Sequence, residues 1–262
     1  MTALAPWPYP RWIAHRGAGK LAPENTLSAF RLGASHGWRM FECDAKLSRD
    51  GVLFLLHDTE LARTTNGQGI AGEKTLGELA RLDAGSWHSR AYAGESLPTL
   101  EAVSRWCLAN HLFLNIEIKP TPGQDWETGR AVGELMERIW PADAVAPLLT
   151  SFQPTALEGA RDTAPRLPRG LLVDKLADPT GRADLYTAQA LGCCAMVLNH
   201  ALWTSDLVAL VHGAGLRCSS YTVNDEWEAL RLIALGTDSI ITDRVDLFSP
   251  AQQGAVLQHQ SS

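Results

Sequence analysis

Short apolar runs alternate with longer amphipathic segments along almost the whole chain. The apolar runs are rich in Val, Ile and Leu, which favours buried strands, and the longer segments repeat apolar residues at helical spacing. The predicted strands cover residues 12–15, 40–47, 112–119, 147–152, 170–174, 195–199, 216–223 and 239–242. The predicted helices cover residues 26–36, 100–110, 126–139, 155–162, 183–191, 205–212, 225–235 and 247–252. We expect Asn25 or Thr26 to cap the first helix and Asn224 to cap the helix over 225–235.

Eight strand–helix pairs in a chain of 262 residues predict a TIM (β/α)8 barrel. The alternative is an open doubly wound sheet. Such sheets usually have fewer strands, and the chain lacks the glycine-rich loop with which they bind dinucleotides.

Residues 59–98 interrupt this alternation after the second predicted strand. Turn signals occur at Asn66-Gly67, Gly69 and Gly72, and a Thr75-to-Glu78 capping box begins one short helix. In a barrel, an insertion at this place lies on the catalytic face, and a loop of this length is usually functional. We therefore predict one barrel domain over residues 1–262 with an insertion at about residues 59–98.

Charge and composition limit the partners. The formal net charge is −6 and no Lys/Arg-rich run exists, so we expect no nucleic-acid partner. Five irregularly spaced cysteines do not form a disulfide framework, and no signal peptide precedes them, which favours a cytoplasmic protein. Residues 185–205 carry no Asp, Glu, Lys or Arg, but their polar residues argue against a membrane span. The oligomeric state stays open, with a homo-oligomer compatible with the sequence.

Five candidate catalytic residues lie where predicted strands end: His15, Glu42, Asp44, His57 and Glu117. Glu42 and Asp44 are two residues apart on one strand, so their side chains share a face. Three crowded carboxylates would repel one another without a cation, and an all-oxygen ligand set favours Mg²⁺ first, or Ca²⁺ or Mn²⁺, over Zn²⁺. The alternative is a buried network of salt bridges.

The two histidines suit proton transfer, because imidazole titrates near neutrality. His15 and His57 would together take a proton from a nucleophile and return one to a leaving group, although one of them could instead bind the metal. Arg16 and Lys119 supply local positive charge for an anionic substrate, or else act only as salt-bridge partners. These residues together indicate a metal-assisted hydrolase.

Weaker candidates also lie at strand ends. Tyr221, Asn199, Ser151 and Asp243 either contact substrate or close loops, with neither role favoured. In the insertion, Trp87 and Tyr92 form either an apolar wall near the substrate or a small core within the insertion. We favour the small core.

These residues occur in motifs that resemble the glycerophosphodiester phosphodiesterase family over nearly the whole chain. The motifs are AHRGAGKLAPENTLSAF, FECDAKLSRDGVLFLLHDTELARTTNGQG, LPTLEAV, NIEIKP, LLTSF, YTVN and ITDRVD. The order HRG, PENT, E-x-D, HD and E-x-K is highly specific. The segments WPYPRWIAHRGAGKLAPENT and APRLPRGLLVD most resemble the cytoplasmic bacterial members that are associated with glycerol 3-phosphate uptake.

The resemblance implies hydrolysis of glycerophosphodiesters, such as glycerophosphocholine, to glycerol 3-phosphate and an alcohol. It implies that Glu42, Asp44 and Glu117 bind the metal and that His15 and His57 are the acid/base pair. It also implies that Arg16 and Lys119 contact the phosphate; Tyr221, where many relatives carry tryptophan, would pack against the substrate. Two alternatives remain at this point: a phospholipase or cyclising phosphodiesterase, and a non-catalytic barrel that binds a phosphorylated metabolite.

Overall fold

The computed structural model describes residues 3–248, and within them the strands and helices alternate as predicted. The strands are β1 (Trp12–Ala14), β2 (Met40–Leu47), β3 (Leu53–Leu55), β4 (Phe113–Ile118), β5 (Leu148–Ser151), β6 (Arg169–Val173), β7 (Ala195–Asn199), β8 (Arg217–Tyr221) and β9 (Ser239–Thr242). The α-helices are α1 (Leu27–Ser35), α2 (Leu76–Leu79), α3 (Leu100–Ala109), α4 (Asp125–Ile139), α5 (Pro154–Thr163), α6 (Arg182–Ala190), α7 (Ser205–Gly213) and α8 (Glu226–Leu235).

Eight parallel strands close into a barrel, which confirms the predicted TIM fold. The sheet order is β1-β9-β8-β7-β6-β5-β4-β2, and β1 also pairs with β2 to close the ring. Strand β3 pairs antiparallel with β2 and lies outside the ring. The carboxyl ends of the eight strands therefore form one rim, where the active sites of such barrels lie.

The predicted cap of α1 is present, and the predicted cap of α8 is not. The Thr26 side chain accepts a hydrogen bond from the Ala29 amide and caps α1 as predicted. The Asn224 prediction is wrong, because Asp225 caps α8. The side chain of Asn224 is instead held by Asp243, to whose Oδ2 it donates over 2.9 Å. The predicted helix over 247–252 begins in a turn and otherwise lies outside the described residues.

Strict alternation along the strands separates two environments. On β2, Phe41 and Cys43 point outward into the apolar layer beneath the helices. Met40 points inward, where it belongs to a small apolar cluster with Ile13, Leu148, Leu172, Val197 and Ile241. Because side chains alternate with a period of two, Glu42 and Asp44 share the inward face with Met40. The interior is thus apolar at its amino end and acidic at its carboxyl end.

The insertion is a small folded unit beside the rim. The predicted Thr75–Glu78 capping box is present at the start of α2. Its own apolar core consists of Phe54, Leu56, Leu61, Ala71, Leu79, Ala84 and Leu97. The expectation for Trp87 and Tyr92 is wrong, since neither belongs to that core. Tyr92 packs instead against a cluster of alanines around Ala18, and Trp87 is 41% exposed.

The expectations about membrane spans and about cysteines can be compared with the described residues. Within residues 3–248, no helix is both long enough and apolar enough to cross a bilayer. All five cysteines lie in this range and are free thiols.

Candidate active site

Strands β2 and β4 bring three carboxylates together inside the rim. Glu42, Asp44 and Glu117 each offer an oxygen, and these oxygens lie within 4.8 Å of one another. All three side chains are buried. Asp44 faces Glu117 across the parallel register of β2 and β4, which explains why residues distant in sequence meet. The structure therefore brings together the acidic cluster that the sequence predicts.

Two buried oxygens of this cluster lack a hydrogen-bond donor among the described residues. Among the described residues, no protein group hydrogen-bonds to Glu42 Oε1 or Asp44 Oδ1, although both atoms are buried. Burial, with the neighbouring carboxylates, raises the pKa of Glu42 and of Glu117. Burial also works to raise the pKa of Asp44, but Arg16 and Lys119 outweigh it and lower that pKa. Two buried oxygens without partners and a shared carboxylate site are what a divalent cation would satisfy.

His15 follows β1 and faces the acidic cluster. Its Nδ1 donates to Asp243 Oδ1 over 2.7 Å, and its Nε2 lies 3.8 Å from Glu42 Oε2. Burial works to raise the pKa of Asp243, but the hydrogen bond and charge of His15, together with the hydrogen bond from Asn224, outweigh burial and lower the pKa to about 2. A carboxylate at Nδ1 fixes the tautomer and the ring orientation and leaves Nε2 for chemistry.

His57 is held in the same manner on the other side of the cluster. Its Nδ1 donates to Asp58 Oδ1 over 2.7 Å, and its Nε2 accepts from Lys119 Nζ over 2.7 Å. Burial lowers the pKa of His57, and the Asp44 carboxylate only partly offsets it. Lys119 also donates to Glu117 Oε1 over 2.8 Å. Because the Lys119 ammonium can only donate, His57 Nε2 is the acceptor in this contact, and it faces the site.

The loop between β1 and α1 places Arg16 over the cluster. Arg16 adopts a φ of 52° and Asn25 a φ of 60°, values that are uncommon for residues other than glycine. The Arg16 amide donates to Glu42 Oε2 over 3.0 Å, and its guanidinium donates to Glu24 Oε1 over 2.8 Å. Asn25 donates to Asp44 Oδ2 over 2.8 Å. Strained backbone concentrated at one loop is typical of functional sites.

Tyr221 lies at the end of β8, on the opposite half of the rim. Its ring packs edge-on against Phe152 with centroids 5.7 Å apart. Lys119 Nζ lies 5.6 Å from the centroid of the same Phe152 ring, so this aromatic pair adjoins the charged cluster. The Tyr221 hydroxyl donates to Asp174 Oδ1 over 3.4 Å. The pair forms an apolar wall beside the charged groups.

The other weak candidates have different roles. Asp243 holds His15, as described above. Ser151 donates to the Ile118 carbonyl over 2.7 Å and so links β5 to β4. Asn199 donates to Asp174 Oδ1 over 3.0 Å at the rim.

Four residues near the site escaped the sequence analysis: Glu24, Asn25 as a partner of Asp44, Asp58 and Arg63. Asp58 directly follows His57, a position from which a carboxylate can reach Nδ1, so a signal was available. Nothing in the spacing of Glu24 and Arg63 indicates that two loops bring them within 2.8 Å of each other.

The chain is similar to known proteins over most of its length. The model of the glycerophosphoryl diester phosphodiesterase family matches residues 15–247. A glycerophosphodiester phosphodiesterase of Caldanaerobacter subterraneus subsp. tengcongensis is 34% identical, over 88% of this chain and 93% of that protein.

Two solved structures extend the comparison. An Oleispira antarctica phosphodiesterase, determined in complex with the product sn-glycerol-3-phosphate, is 33% identical with a TM-score of 0.85, and the match covers 94% of this chain and 96% of that one. A glycerophosphodiester phosphodiesterase of Agrobacterium tumefaciens is 27% identical with a TM-score of 0.73, over 91% of this chain and 98% of that one.

Proposed function

Since the chain belongs to the glycerophosphoryl diester phosphodiesterase family, we propose that it hydrolyses glycerophosphodiesters to sn-glycerol 3-phosphate and an alcohol with the help of one divalent cation. The chain is a glycerophosphodiester phosphodiesterase, and the proposal concerns its cofactor, substrates and residue roles. Glycerophosphocholine and glycerophosphoethanolamine are the substrates that we expect. One observation carries the proposal: two histidines, each held at Nδ1 by a carboxylate, flank an acidic cluster in which two buried oxygens accept no hydrogen bond from the described residues.

The residues fit a hard cation. Glu42, Asp44 and Glu117 would hold it through carboxylate oxygens, the ligands that Mg²⁺ and also Ca²⁺ and Mn²⁺ prefer. When bound, the cation supplies Lewis-acid stabilisation of the negative charge that develops on the phosphate oxygens.

His15 and His57 carry the protons. One imidazole Nε2 accepts the proton of the attacking oxygen as the new P–O bond forms. The other imidazole donates a proton to the alcohol oxygen as its bond to phosphorus breaks. The attacking oxygen is that of water or of the glycerol 2-hydroxyl; in the second case, water then opens a cyclic phosphate with the two histidines in exchanged roles.

Arg16 and Lys119 bind the phosphate in this proposal. Burial works to lower the pKa of Lys119, but the Asp44 and Glu117 carboxylates outweigh it and raise the pKa, so the amine is a cation at neutral pH. A guanidinium can contact two phosphate oxygens and an ammonium adds a point charge. Tyr221 and Phe152 would pack against the organic part of the substrate.

The decisive experiment measures release of choline and ethanolamine with and without EDTA, followed by readdition of Mg²⁺, Mn²⁺ or Ca²⁺. We expect turnover to be lost with EDTA and restored by at least one of these ions. Full turnover in EDTA would disprove the metal requirement, and absence of turnover with every glycerophosphodiester would disprove the proposed substrates. A rapid quench that traps a cyclic glycerophosphate would identify the glycerol 2-hydroxyl as nucleophile.

We also infer a cytoplasmic location. Five free thiols suit a reducing compartment, where disulfides are rare. Fractionation of cells that express the full chain tests this, and recovery outside the cytoplasm would contradict it.

A further inference from the structure

The guanidinium of Arg63, in the insertion, lies between two carboxylates that no spacing in the sequence connects. Its Nη1 donates to Glu24 Oε2 over 2.8 Å, and its Nη2 donates to Glu24 Oε1 over 2.8 Å. Its Nε donates to Asp58 Oδ2 over 2.5 Å, and Nη2 also donates to Asp58 Oδ1 over 3.0 Å. Both carboxylates are therefore bound in the two-point geometry that a planar guanidinium favours.

Each carboxylate also holds a residue of the proposed catalytic machinery. Asp58 Oδ1 accepts from His57 Nδ1, and Glu24 Oε1 accepts from Arg16 Nη1. A continuous chain of charged hydrogen bonds thus runs from the acid/base histidine to the phosphate-contacting arginine through Arg63. It joins the β1–α1 loop, the end of the β3 arm and the insertion.

An ordinary surface ion pair contributes little to stability, because solvent screens it. The contacts of Arg63 differ from such a pair because its guanidinium binds each of two carboxylates at two points. Without Arg63, the Asp58 carboxylate would keep, among the described residues, only its hydrogen bond from His57 and would be free to rotate. The hydrogen bond from Arg63, with that from His57, lowers the pKa of Asp58 to about 2, so the group that orients His57 remains an anion.

We infer that Arg63 is a positioning residue that fixes His57 through Asp58 and Arg16 through Glu24, so that the insertion completes the active site without touching substrate. The inference rests on the proposed roles of His57 and Arg16. It predicts two separable effects: the Asp58 connection governs proton transfer and hence kcat, whereas the Glu24 connection governs phosphate binding and hence KM.

The test compares Arg63→Gln, Arg63→Lys and a matched control. We expect Arg63→Gln to lower kcat/KM about 10- to 100-fold, which is the usual cost of losing a group that orients active-site residues. Arg63→Lys should fall between Arg63→Gln and wild type, because one ammonium cannot bind both carboxylates at two points. The control is Arg49→Gln, which removes an exposed ion pair to Glu78 at 3.3 Å, outside the site. It should keep wild-type kinetics.

Double-mutant cycles separate positioning from general support of the fold. Asp58→Asn should mainly lower kcat and Glu24→Gln should mainly raise KM, and adding Arg63→Gln to either should cost less than Arg63→Gln costs in the wild type. Near-wild-type kinetics in Arg63→Gln, or full additivity in both cycles, would overturn the inference. If the wild type itself turned over no glycerophosphodiester, the proposed function would fail; an active wild type with an insensitive Arg63 would refute only the positioning role.

Discussion

The two ends of the barrel each gather three side chains that could bind a metal, yet they differ in how their charges are met. At the carboxyl end, Glu42, Asp44 and Glu117 converge, and two of their buried oxygens accept no hydrogen bond from the described residues. At the amino end, one potential ligand atom each from His212, Cys218 and Asp238 also lie within 4.8 Å of one another.

At the amino end, both carboxylate oxygens of Asp238 accept hydrogen bonds from protein groups. Its Oδ1 accepts from Arg217 Nη1 over 2.8 Å, and its Oδ2 accepts from His212 Nε2 and from the Cys218 amide, each over 2.8 Å. Proximity of potential ligands is thus a poor sign of a metal site, and unsatisfied buried charge is a better one.

The largest expected effect concerns the histidines at the carboxyl end. We expect His15→Ala or His57→Ala to lower kcat about 10²- to 10⁴-fold, because each removes one proton-transfer group. The folded state should survive, since both rings are partly exposed and lie outside the apolar clusters. Steady-state kinetics and thermal melts check this, and loss of folding in both variants would make the histidines structural.

A smaller effect, on stability rather than catalysis, is expected at the amino end. Asp238→Asn weakens the contacts to Arg217 and His212 and should cost about 1.5–3 kcal/mol of the free energy of unfolding, as loss of a hydrogen bond to a charged group does. Denaturant unfolding measures that cost, and kcat measured well below the melting temperature should stay at the wild-type value. A large fall in kcat in the folded variant would contradict the division between the two ends.

The residues at the carboxyl end could be predicted from the sequence for a physical reason. Strand periodicity determines the face of a side chain, so Glu42, Asp44 and Glu117 could be placed inside the rim from their spacing alone. Parallel barrel topology then brings the ends of β2 and β4 together. The described strands and α-helices that were predicted from periodicity end within two residues of their predicted bounds, with β2, β7 and β9 matching fully.

Contacts between loops could not be predicted in this way. Arg63 contacts Glu24 because the insertion folds over the β1–α1 loop. Neither segment has a sequence periodicity that indicates contact with the other. Tyr92 shows the same limit, since it packs against alanines near Ala18 instead of the core of its own insertion. Asn224 does not cap α8, because its side chain is hydrogen-bonded to Asp243. Asp225 is the cap instead.

The smallest expected effect concerns charge repulsion among the carboxylates at the carboxyl end of the barrel, which the amino end lacks. Glu42→Gln removes one anion from the crowded cluster, so in EDTA the variant should be more stable than wild type at pH 7, although its metal-dependent activity should be lost. About 1 kcal/mol of relieved repulsion would raise Tm by about 2–4 °C in a chain of this size.

The pH dependence of this gain has a definite sign. Because the folded pKa of Glu42 is raised above its ordinary value of 4.5, the stability cost of its carboxylate is absent below that value and develops as the pH rises through the folded pKa. The difference in Tm between Glu42→Gln and wild type should therefore shrink as the pH falls toward 4.5 and should be largest above the folded pKa. Adding Mg²⁺ at pH 7 should raise the Tm of the wild type more than that of the variant, because the ion replaces repulsion by attraction only where all three carboxylates remain. If Glu42→Gln and wild type had equal Tm values in EDTA at every pH, the three carboxylates at the carboxyl end would not repel one another measurably, and this difference between the two ends would not exist.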